Sequence, residues 1–275
     1  MKGKDHPISS GFVKVDGLSI HYLTAGEGKP VVLLHSWPTS SYLWRNIMEP
    51  LARSRRVIAP DLPGFGLSDK PLDAPYTFDY HVGIFDSFLR KMGVERTALV
   101  VHDLGGPVGL LWAVRNPGRV SHLVIMNTLV HPDISFLMRL LILAARTPFI
   151  KDYLASPAGI AMTMKLGVGN KKVMTEEAIA AYQAPFAGKD ARLVLLKTLT
   201  ALRTGDLEEL VQKLPSLEVS VYIIYGERDM MLANEMKKLA EELPHARVTP
   251  LTDCGHFLQE EKPERLSELI GEFLL

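Results

Sequence analysis

The stretch ALVVHDLGGPVGLLWA, residues 98–113, decides the fold. Its first half is an apolar run that ends at Asp103, and its second half, after Leu-Gly-Gly, has the apolar spacing of a helix. Small residues at this point allow a tight turn and a close approach of the helix to the strand. The pattern predicts a strand-to-helix turn that projects Asp103 above a sheet as a nucleophile or, alternatively, an Asp103 that only caps the helix.

Apolar runs of the same kind recur along the chain and predict a sheet. The predicted strands are 11–17, 18–26, 31–35, 56–60, 97–103, 122–127, 219–226 and 246–251, and the predicted helices are 42–54, 78–93, 105–116, 232–242 and 263–274. The turn at Asp16-Gly17 predicts a hairpin between the first two strands. Because near-continuous apolar strands alternate with helices, the sequence predicts an α/β fold with a mostly parallel central sheet flanked by helices.

The alternation of strands and helices stops between residues 130 and 212. This segment has helical patterns interrupted by prolines, no convincing strand, and many Met, Leu, Ile and Ala residues. Methionine side chains adapt their shape and can line an apolar pocket, although ordinary core packing also explains them. We therefore expect an α/β core domain formed by residues 1–129 and 213–275, and a helical cap domain, 130–212, inserted after the strand that ends near residue 127.

Composition narrows the classes of function. Lys and Arg number 31 and Asp and Glu number 31, so the formal net charge is zero and predicts no binding to nucleic acid or to a membrane. The single cysteine, Cys254, cannot form an internal disulfide, and the N-terminal stretch MKGKDHPISS lacks the apolar core of a signal peptide. These features predict a cytoplasmic protein. No spacing typical of metal ligands or of a phosphate-binding loop occurs, so neither a metal nor a cofactor is expected.

Two further segments place polar side chains where predicted strands end. Asp229 follows the strand 219–226, and His256 lies between the last strand and the last helix. Because ligand groups gather beyond the carboxyl ends of such strands, we expect Asp103, Asp229 and His256 to converge there. A nucleophile, an acid and a base in this order predict covalent catalysis, in which His256, oriented by Asp229, activates water.

The segment HSWPTSSYLWR, residues 35–45, begins at the end of the predicted strand 31–35. In enzymes with this kind of turn, one backbone N–H from such a loop and one from the residue after the nucleophile stabilise an oxyanion. By position, these N–H groups belong to Trp37 and Leu104. We therefore predict the oxyanion hole at these two residues.

These motifs resemble those of α/β-hydrolase-fold enzymes, and most closely the branch of haloalkane dehalogenases and epoxide hydrolases, which use an aspartate nucleophile. HSWPTSSYLWR is similar to the dehalogenases' His-Gly-x-Pro-Thr loop and VVHDLGG to their nucleophile segment. IMNT (125–128), AYQAPF (181–186) and GHFLQEE (255–261) also match segments typical of that family. The resemblance covers essentially the whole chain and implies an α/β-hydrolase fold acting on a small apolar substrate with water.

The resemblance also indicates which residues surround the substrate. Dehalogenases of this branch hold the departing halide between two N–H donors, usually including a Trp directly after the nucleophile, where this chain has Leu104. Trp37 and Asn127 are the remaining candidates for contact with a leaving group. Epoxide hydrolases use cap tyrosines as general acids, and the inferred cap contains Tyr153 and Tyr182.

The sequence thus predicts a hydrolase that forms an alkyl-enzyme ester on Asp103, similar to a haloalkane dehalogenase but without its usual halide-binding Trp. An epoxide hydrolase that uses Tyr153 and Tyr182 is the alternative. A carboxylesterase is a weaker alternative, because acyl transfer to a carboxylate would give an anhydride. A catalytically silent receptor of the same fold for a small apolar ligand also stays open, and the oligomeric state is not predicted.

Overall fold

The computed structural model describes residues 7–275; residues 1–6, which open the predicted core segment 1–129 and the stretch MKGKDHPISS, lie outside the described part of the chain. The described chain forms the strands β1 (Ser9–Val15), β2 (Leu18–Ala25), β3 (Pro30–Leu34), β4 (Arg56–Pro60), β5 (Thr97–Asp103), β6 (Val120–Thr128), β7 (Ser220–Gly226) and β8 (Arg247–Leu251). Each strand falls on one of the apolar runs from which the sequence predicts a strand.

The strands form one sheet in the order β1-β2-β4-β3-β5-β6-β7-β8. β1 and β2 form the predicted hairpin, with Asp16 and Gly17 both at positive φ, and β2 pairs antiparallel with β4. The other neighbouring strands pair parallel. β5 lies in the middle of the sheet, and its residues are buried up to His102. The predicted α/β fold with a mostly parallel sheet is confirmed.

The described residues form the α-helices α1 (Arg45–Ala52), α2 (Phe78–Lys91), α3 (Gly105–Arg115), α4 (Phe136–Arg146), α5 (Ile150–Leu154), α6 (Pro157–Leu166), α7 (Glu176–Gln183), α8 (Lys189–Thr200), α9 (Glu208–Lys213), α10 (Ala233–Glu242), α11 (Leu258–Glu261) and α12 (Pro263–Phe273). In the core, α1 packs against α12 and α2 against α3, while α10 packs on β6 and β7. Within residues 7–275, no helix has the length and apolar character needed to cross a membrane.

Only helices and short 3-10 turns, from α4 to α9, lie between β6 and β7. They occupy the segment 130–212 that the sequence assigns to a cap, and the two-domain division itself stays a prediction. The first helices form a packed series, in which α4 contacts α5, α5 contacts α6 and α6 contacts α7. The last helix, α9, instead packs on the core helix α3, where Arg115 forms an ion pair with Glu209 at 2.6 Å. By its contacts, α9 thus belongs with the core, although the sequence places the return to the core at residue 213.

Candidate active site

The turn between β5 and α3 has a strained backbone. Asp103 ends β5 with a φ of 47°, a left-handed conformation that costs a residue with a side chain about 1–3 kcal/mol. The two glycines that follow have no room for a side chain. A Cβ atom on Gly105 would lie 2.6 Å from the carbonyl oxygen of Leu34, and one on Gly106 would lie 1.7 Å from Thr128 Oγ1. The helix therefore begins in close contact with the neighbouring strands.

Two backbone N–H groups act on the Asp103 carboxylate. The Trp37 N–H donates to Asp103 Oδ2 at 2.8 Å, and the adjacent Leu104 N–H lowers the pKa of the carboxylate. These are the two groups that the sequence assigns to an oxyanion hole. Burial raises the pKa of Asp103 above its ordinary value, while His256 and the two N–H groups act in the opposite direction.

His256 and Asp229 form a buried pair that lines the same cavity as Asp103. His256 Nδ1 lies 2.8 Å from Asp229 Oδ2. Burial disfavours the charge on both partners, but their attraction outweighs it: the pKa of Asp229 falls to about 2, and that of His256 is raised above its ordinary value. The structure thus brings together the three residues that the sequence places at the site, and it leaves Nε2 of His256 as the ring nitrogen for a water molecule.

Asp229 accepts several further hydrogen bonds. Its Oδ1 accepts the backbone N–H groups of Met231 at 2.9 Å and Leu232 at 3.2 Å, and its Oδ2 accepts Asn127 Nδ2 at 2.8 Å. Asn127 Oδ1 in turn accepts the Gly226 N–H at 2.9 Å. Asn127 is fully buried and does not line the cavity, so it orients the acid. The prediction that Asn127 contacts a leaving group is therefore wrong.

His102 holds the histidine base in place, a role that sequence reasoning missed. Its Nε2 donates to the carbonyl oxygen of His256 at 2.9 Å, and the two ring centroids lie 4.6 Å apart. Burial lowers the pKa of His102 well below its ordinary value, so the ring is neutral and carries its proton on Nε2. The His256 N–H also donates to the Gly167 carbonyl at 2.6 Å. In the sequence, the only sign of this role is that His102 directly precedes Asp103.

A cavity of about 270 Å³ borders Asp103 and His256. Most of its lining is apolar, and much of that lining comes from the segment predicted as a cap. The cap segment contributes Leu137, Met138, Leu141, Leu154, Met162, Thr163, Leu166, Gly167, Leu199 and Leu202. The cavity therefore suits a small apolar substrate.

Two uncharged side-chain donors of this lining already have acceptors within the protein. The Trp37 indole N–H donates to the Leu195 carbonyl at 3.2 Å, and Thr163 Oγ1 donates to the Gly159 carbonyl at 3.0 Å. Trp37 thus lines the cavity as predicted, but its indole N–H is not available to a leaving group. Among residues 7–275, no group of three or more His, Cys, Asp or Glu side chains is arranged to hold a metal ion.

The two tyrosines predicted as acids lie outside the cavity lining. Tyr153 is 50% exposed, with its hydroxyl 3.9 Å from Met162 Sδ. Tyr182 is buried and donates its hydroxyl to Glu260, which also binds Arg45 at 2.6 and 2.7 Å. Tyr182 thus joins the cap segment to the core, and neither phenol is placed to protonate an epoxide oxygen. The prediction that these tyrosines face the substrate is wrong.

The fold and this site define an enzyme of the α/β-hydrolase fold. The family model described as the alpha/beta hydrolase fold matches residues 29–263, and the chain belongs to this family.

Named relatives place the chain near three kinds of enzyme. A cis-3-alkyl-4-alkyloxetan-2-one decarboxylase from Shewanella oneidensis is 30% identical over 282 residues, which cover 98% of this chain and 89% of that protein. The crystal structure of a haloalkane dehalogenase from Bradyrhizobium elkani matches with a TM-score of 0.87 and 27% identity over 98% of each chain. The epoxide hydrolase CorEH matches with a TM-score of 0.86 and 26% identity, over 98% of this chain and 99% of that one. The predicted resemblance to dehalogenases and epoxide hydrolases is confirmed.

Proposed function

We propose that the enzyme attacks a small apolar electrophile with the Asp103 carboxylate and forms an alkyl-enzyme ester. The proposal rests on the position of this carboxylate, which accepts the Trp37 N–H, has its pKa lowered by the Leu104 N–H, and borders a largely apolar cavity. The oxygen bound by the Trp37 N–H becomes the ester carbonyl oxygen when the other oxygen attacks carbon. The same N–H groups then stabilise the oxyanion that forms when water attacks the ester.

His256 supplies the base for this second step. Because its Nδ1 is bound to Asp229, a neutral His256 takes a proton from water through Nε2. Removing one donor from an oxyanion hole typically costs about 10²–10³ in rate, which sets the scale of what the two N–H groups contribute. Hydrolysis releases the product and regenerates the Asp103 carboxylate.

The leaving group distinguishes the possible substrates. A halide expelled into an apolar cavity needs N–H donors, because burying an unpaired anion is costly. Here Leu104 follows the nucleophile, and the Trp37 indole N–H is bound to Leu195. An epoxide needs an acid for its alkoxide, and no tyrosine of residues 7–275 lines the cavity. Among the described lining residues, His256 apart, the Arg228 guanidinium is the remaining donor for either leaving group, and no second donor accompanies it.

A strained cyclic ester requires neither kind of support. Opening a β-lactone at its sp³ ring carbon expels a carboxylate, which is a weak base with an acid pKa of about 4 and stays attached to the substrate. The apolar walls suit the alkyl groups of such a lactone. The Shewanella relative is named for an oxetan-2-one with two alkyl groups. We therefore assign an apolar β-lactone as the substrate class, with a haloalkane second because the Bradyrhizobium dehalogenase has the same fold over 98% of its length.

Ring opening leaves an ester on Asp103 with a carboxylate on the neighbouring carbon. This intermediate can react further in two ways, and atoms and electrons balance in both. In hydrolysis, water attacks the ester carbonyl and releases a β-hydroxy acid. In decarboxylation, the bond to the carboxylate carbon breaks, its electron pair forms an alkene, and Asp103 departs with the electrons of its bond to carbon. The His256–Asp229 pair supports hydrolysis because this outcome alone needs a base for water.

Trapping the ester tests the proposal. In His256→Ala the base for water is gone, while Asp103 still attacks carbon, so incubation with a cis-3,4-dialkyl β-lactone should add the mass of the whole lactone to the peptide that contains Asp103. With 1-bromobutane the added mass would be that of the butyl group only, because bromide leaves. Asp103→Ala should show neither adduct nor turnover. His245→Ala, which changes an exposed histidine, should behave as the wild type.

Isotope labelling separates the remaining outcomes. A single wild-type turnover in ¹⁸O-labelled water should place the label in the Asp103 carboxylate and not in the β-hydroxy acid. Alkene release by His256→Ala at the wild-type rate would keep the Asp103 attack but assign decarboxylation. Label found only in the product, with no adduct on His256→Ala, would mean that Asp103 acts as a general base, and the ester proposal would be abandoned.

A further inference from the structure

The first helices after β6 expose large apolar side chains that the fold does not bury. On α4, Phe136, Leu140 and Leu143 are 72%, 43% and 59% exposed, and their spacing places them on one side of the helix. The connection to α5 adds Phe149, at 87% exposed, and Ile150, at 51%. Because α4 packs against α5, these five residues lie on adjoining elements. We name them the apolar face.

The mouth of the cavity is also apolar and exposed. Leu137, Met162, Leu166 and Met230 all line the cavity, although they are 39%, 39%, 56% and 73% exposed. Leu137 is on α4 with most of the apolar face, and α6, which carries Met162 and Leu166, packs against α5. Apolar surface thus extends from these helices into the cavity that Asp103 borders.

Phe149 is presented outward by an unfavourable backbone conformation. Its φ is 64°, in the left-handed region that residues with a side chain rarely adopt and that persists only where the surrounding structure imposes it. The ring makes little contact with the protein, since 87% of the residue is exposed. Packing of this ring within the chain therefore does not account for the strained turn.

Basic residues outnumber acidic ones in the stretch of sequence that carries the apolar face. Between residues 133 and 172 the acidic side chains are Asp133 and Asp152, and the basic ones are Arg139, Arg146, Lys151, Lys165, Lys171 and Lys172. The segment thus has a net charge of +4, and the rest of the chain has −4, because the whole chain has zero. Arg146 and Lys151 flank Phe149 on both sides in the sequence, while Arg139 is paired with Asp133 at 2.6 Å. The zero net charge of the whole chain therefore does not reveal that positive and negative charge are concentrated in different parts of the sequence.

We propose that the apolar face binds an anionic lipid surface, with Phe149 among the acyl chains and the basic side chains at the headgroups. Large apolar side chains bordered by Lys and Arg are the combination that binds such surfaces, because burial and charge attraction add. A second copy is disfavoured as the occupant, since two copies meeting through this face would bring together two segments of charge +4. An apolar molecule dissolved in the lipid would reach the cavity through Leu137 and Met162.

Vesicle binding tests this surface without reference to the reaction. We expect the full chain to co-sediment with vesicles of phosphatidylcholine and phosphatidylglycerol in equal parts, and to bind phosphatidylcholine vesicles much more weakly. Phe149→Asp should lower the partition coefficient at least about tenfold, because it removes the ring proposed to insert among the acyl chains and adds a charge of the wrong sign. Phe12→Asp makes the same change at a residue 58% exposed on the edge strand β1, and should bind as the wild type.

Two further measurements decide between occupants. In Phe149→Trp, lipids with brominated acyl chains should quench the added fluorescence, whereas Phe12→Trp should show no added quenching. High salt should weaken the binding, since screening removes the attraction of the basic side chains. Absence of vesicle binding, or binding that Phe149→Asp leaves unchanged, would overturn the proposal. A dimer in light scattering that Phe149→Asp dissociates, without vesicle binding, would assign the face to a second copy instead.

Discussion

Replacing Asn127 with alanine tests whether this residue holds the acid of the site. Asn127 is fully buried, and its side chain makes hydrogen bonds of 2.8 Å to the Asp229 carboxylate and 2.9 Å from the Gly226 N–H. Losing a hydrogen bond to a charged group costs about 1.5–3 kcal/mol, and leaving a buried N–H without a partner costs about 1–3 kcal/mol. We therefore expect Asn127→Ala to lower the free energy of unfolding by about 2.5–6 kcal/mol.

Urea unfolding at neutral pH measures this loss, and Asn116→Ala is the matched control. Asn116 is half-buried, and its side chain donates one hydrogen bond to a neutral acceptor, the Trp112 carbonyl at 2.9 Å, so its loss should cost about 1 kcal/mol. In Asn127→Ala, kcat should fall while KM stays near the wild-type value, because Asn127 does not line the cavity. Equal losses of stability in the two variants, or a change confined to KM, would refute the role of Asn127 in orienting Asp229.

Three further predictions concern the base, the leaving group and the turn. Burial opposes the charged form of His256, but Asp229 and Asp103 raise its pKa above its ordinary value, so kcat should fall as the pH drops through that raised pKa and His256 becomes protonated. Alkylation of Asp103 in His256→Ala, followed by mass spectrometry, should lack the His256 step and depend on pH only through ionisation of the Asp103 carboxyl. Leu104→Trp adds an N–H donor beside Asp103 and should increase bromide release from 1-bromobutane, and an unchanged rate would contradict the need for such a donor. Gly106→Ala would place Cβ 1.7 Å from Thr128 Oγ1 and should destabilise the fold by about 1–3 kcal/mol in urea unfolding, whereas Gly118→Ala, with no atom within 4 Å of its Cβ, should not.

Local patterns in the sequence were sufficient to predict the sheet and the three residues at its edge. Most strands are short runs of apolar residues, which can be recognised in the sequence without knowledge of distant contacts. The prediction of β5 at residues 97–103 therefore agrees with the structure. Asp103, Asp229 and His256 were found because each lies at or beyond the carboxyl end of a strand, and parallel strands bring these ends to one edge. The turn could be read from its glycines, because the backbone of β3 and the side chain of Thr128 exclude a Cβ there.

The directions of individual side chains were not encoded in such patterns. The position of Asn127 at the end of a predicted strand is where a residue that contacts the leaving group would lie. Its amide instead makes hydrogen bonds to Asp229 and Gly226, about a hundred residues further along the chain. Tyr182 lies in a segment typical of a dehalogenase cap, yet it is buried against Glu260, 78 residues away. Both orientations depend on contacts between distant segments, which a reading of neighbouring residues does not contain.

The two steps of the proposed reaction depend on different atoms of the same residues. The Trp37 N–H binds the Asp103 carboxylate and the Leu104 N–H lowers its pKa, and the positions of both groups follow from the strained turn and the loop after β3, whatever side chains these residues carry. Ester hydrolysis therefore depends on the fold. The leaving group, in contrast, meets the side chains at these positions, one aliphatic and one whose indole N–H is already bound to Leu195. In the proposed reaction, Leu104 is thus compatible with ester hydrolysis but supplies no side-chain N–H for a halide, and this favours a substrate that retains its own leaving group.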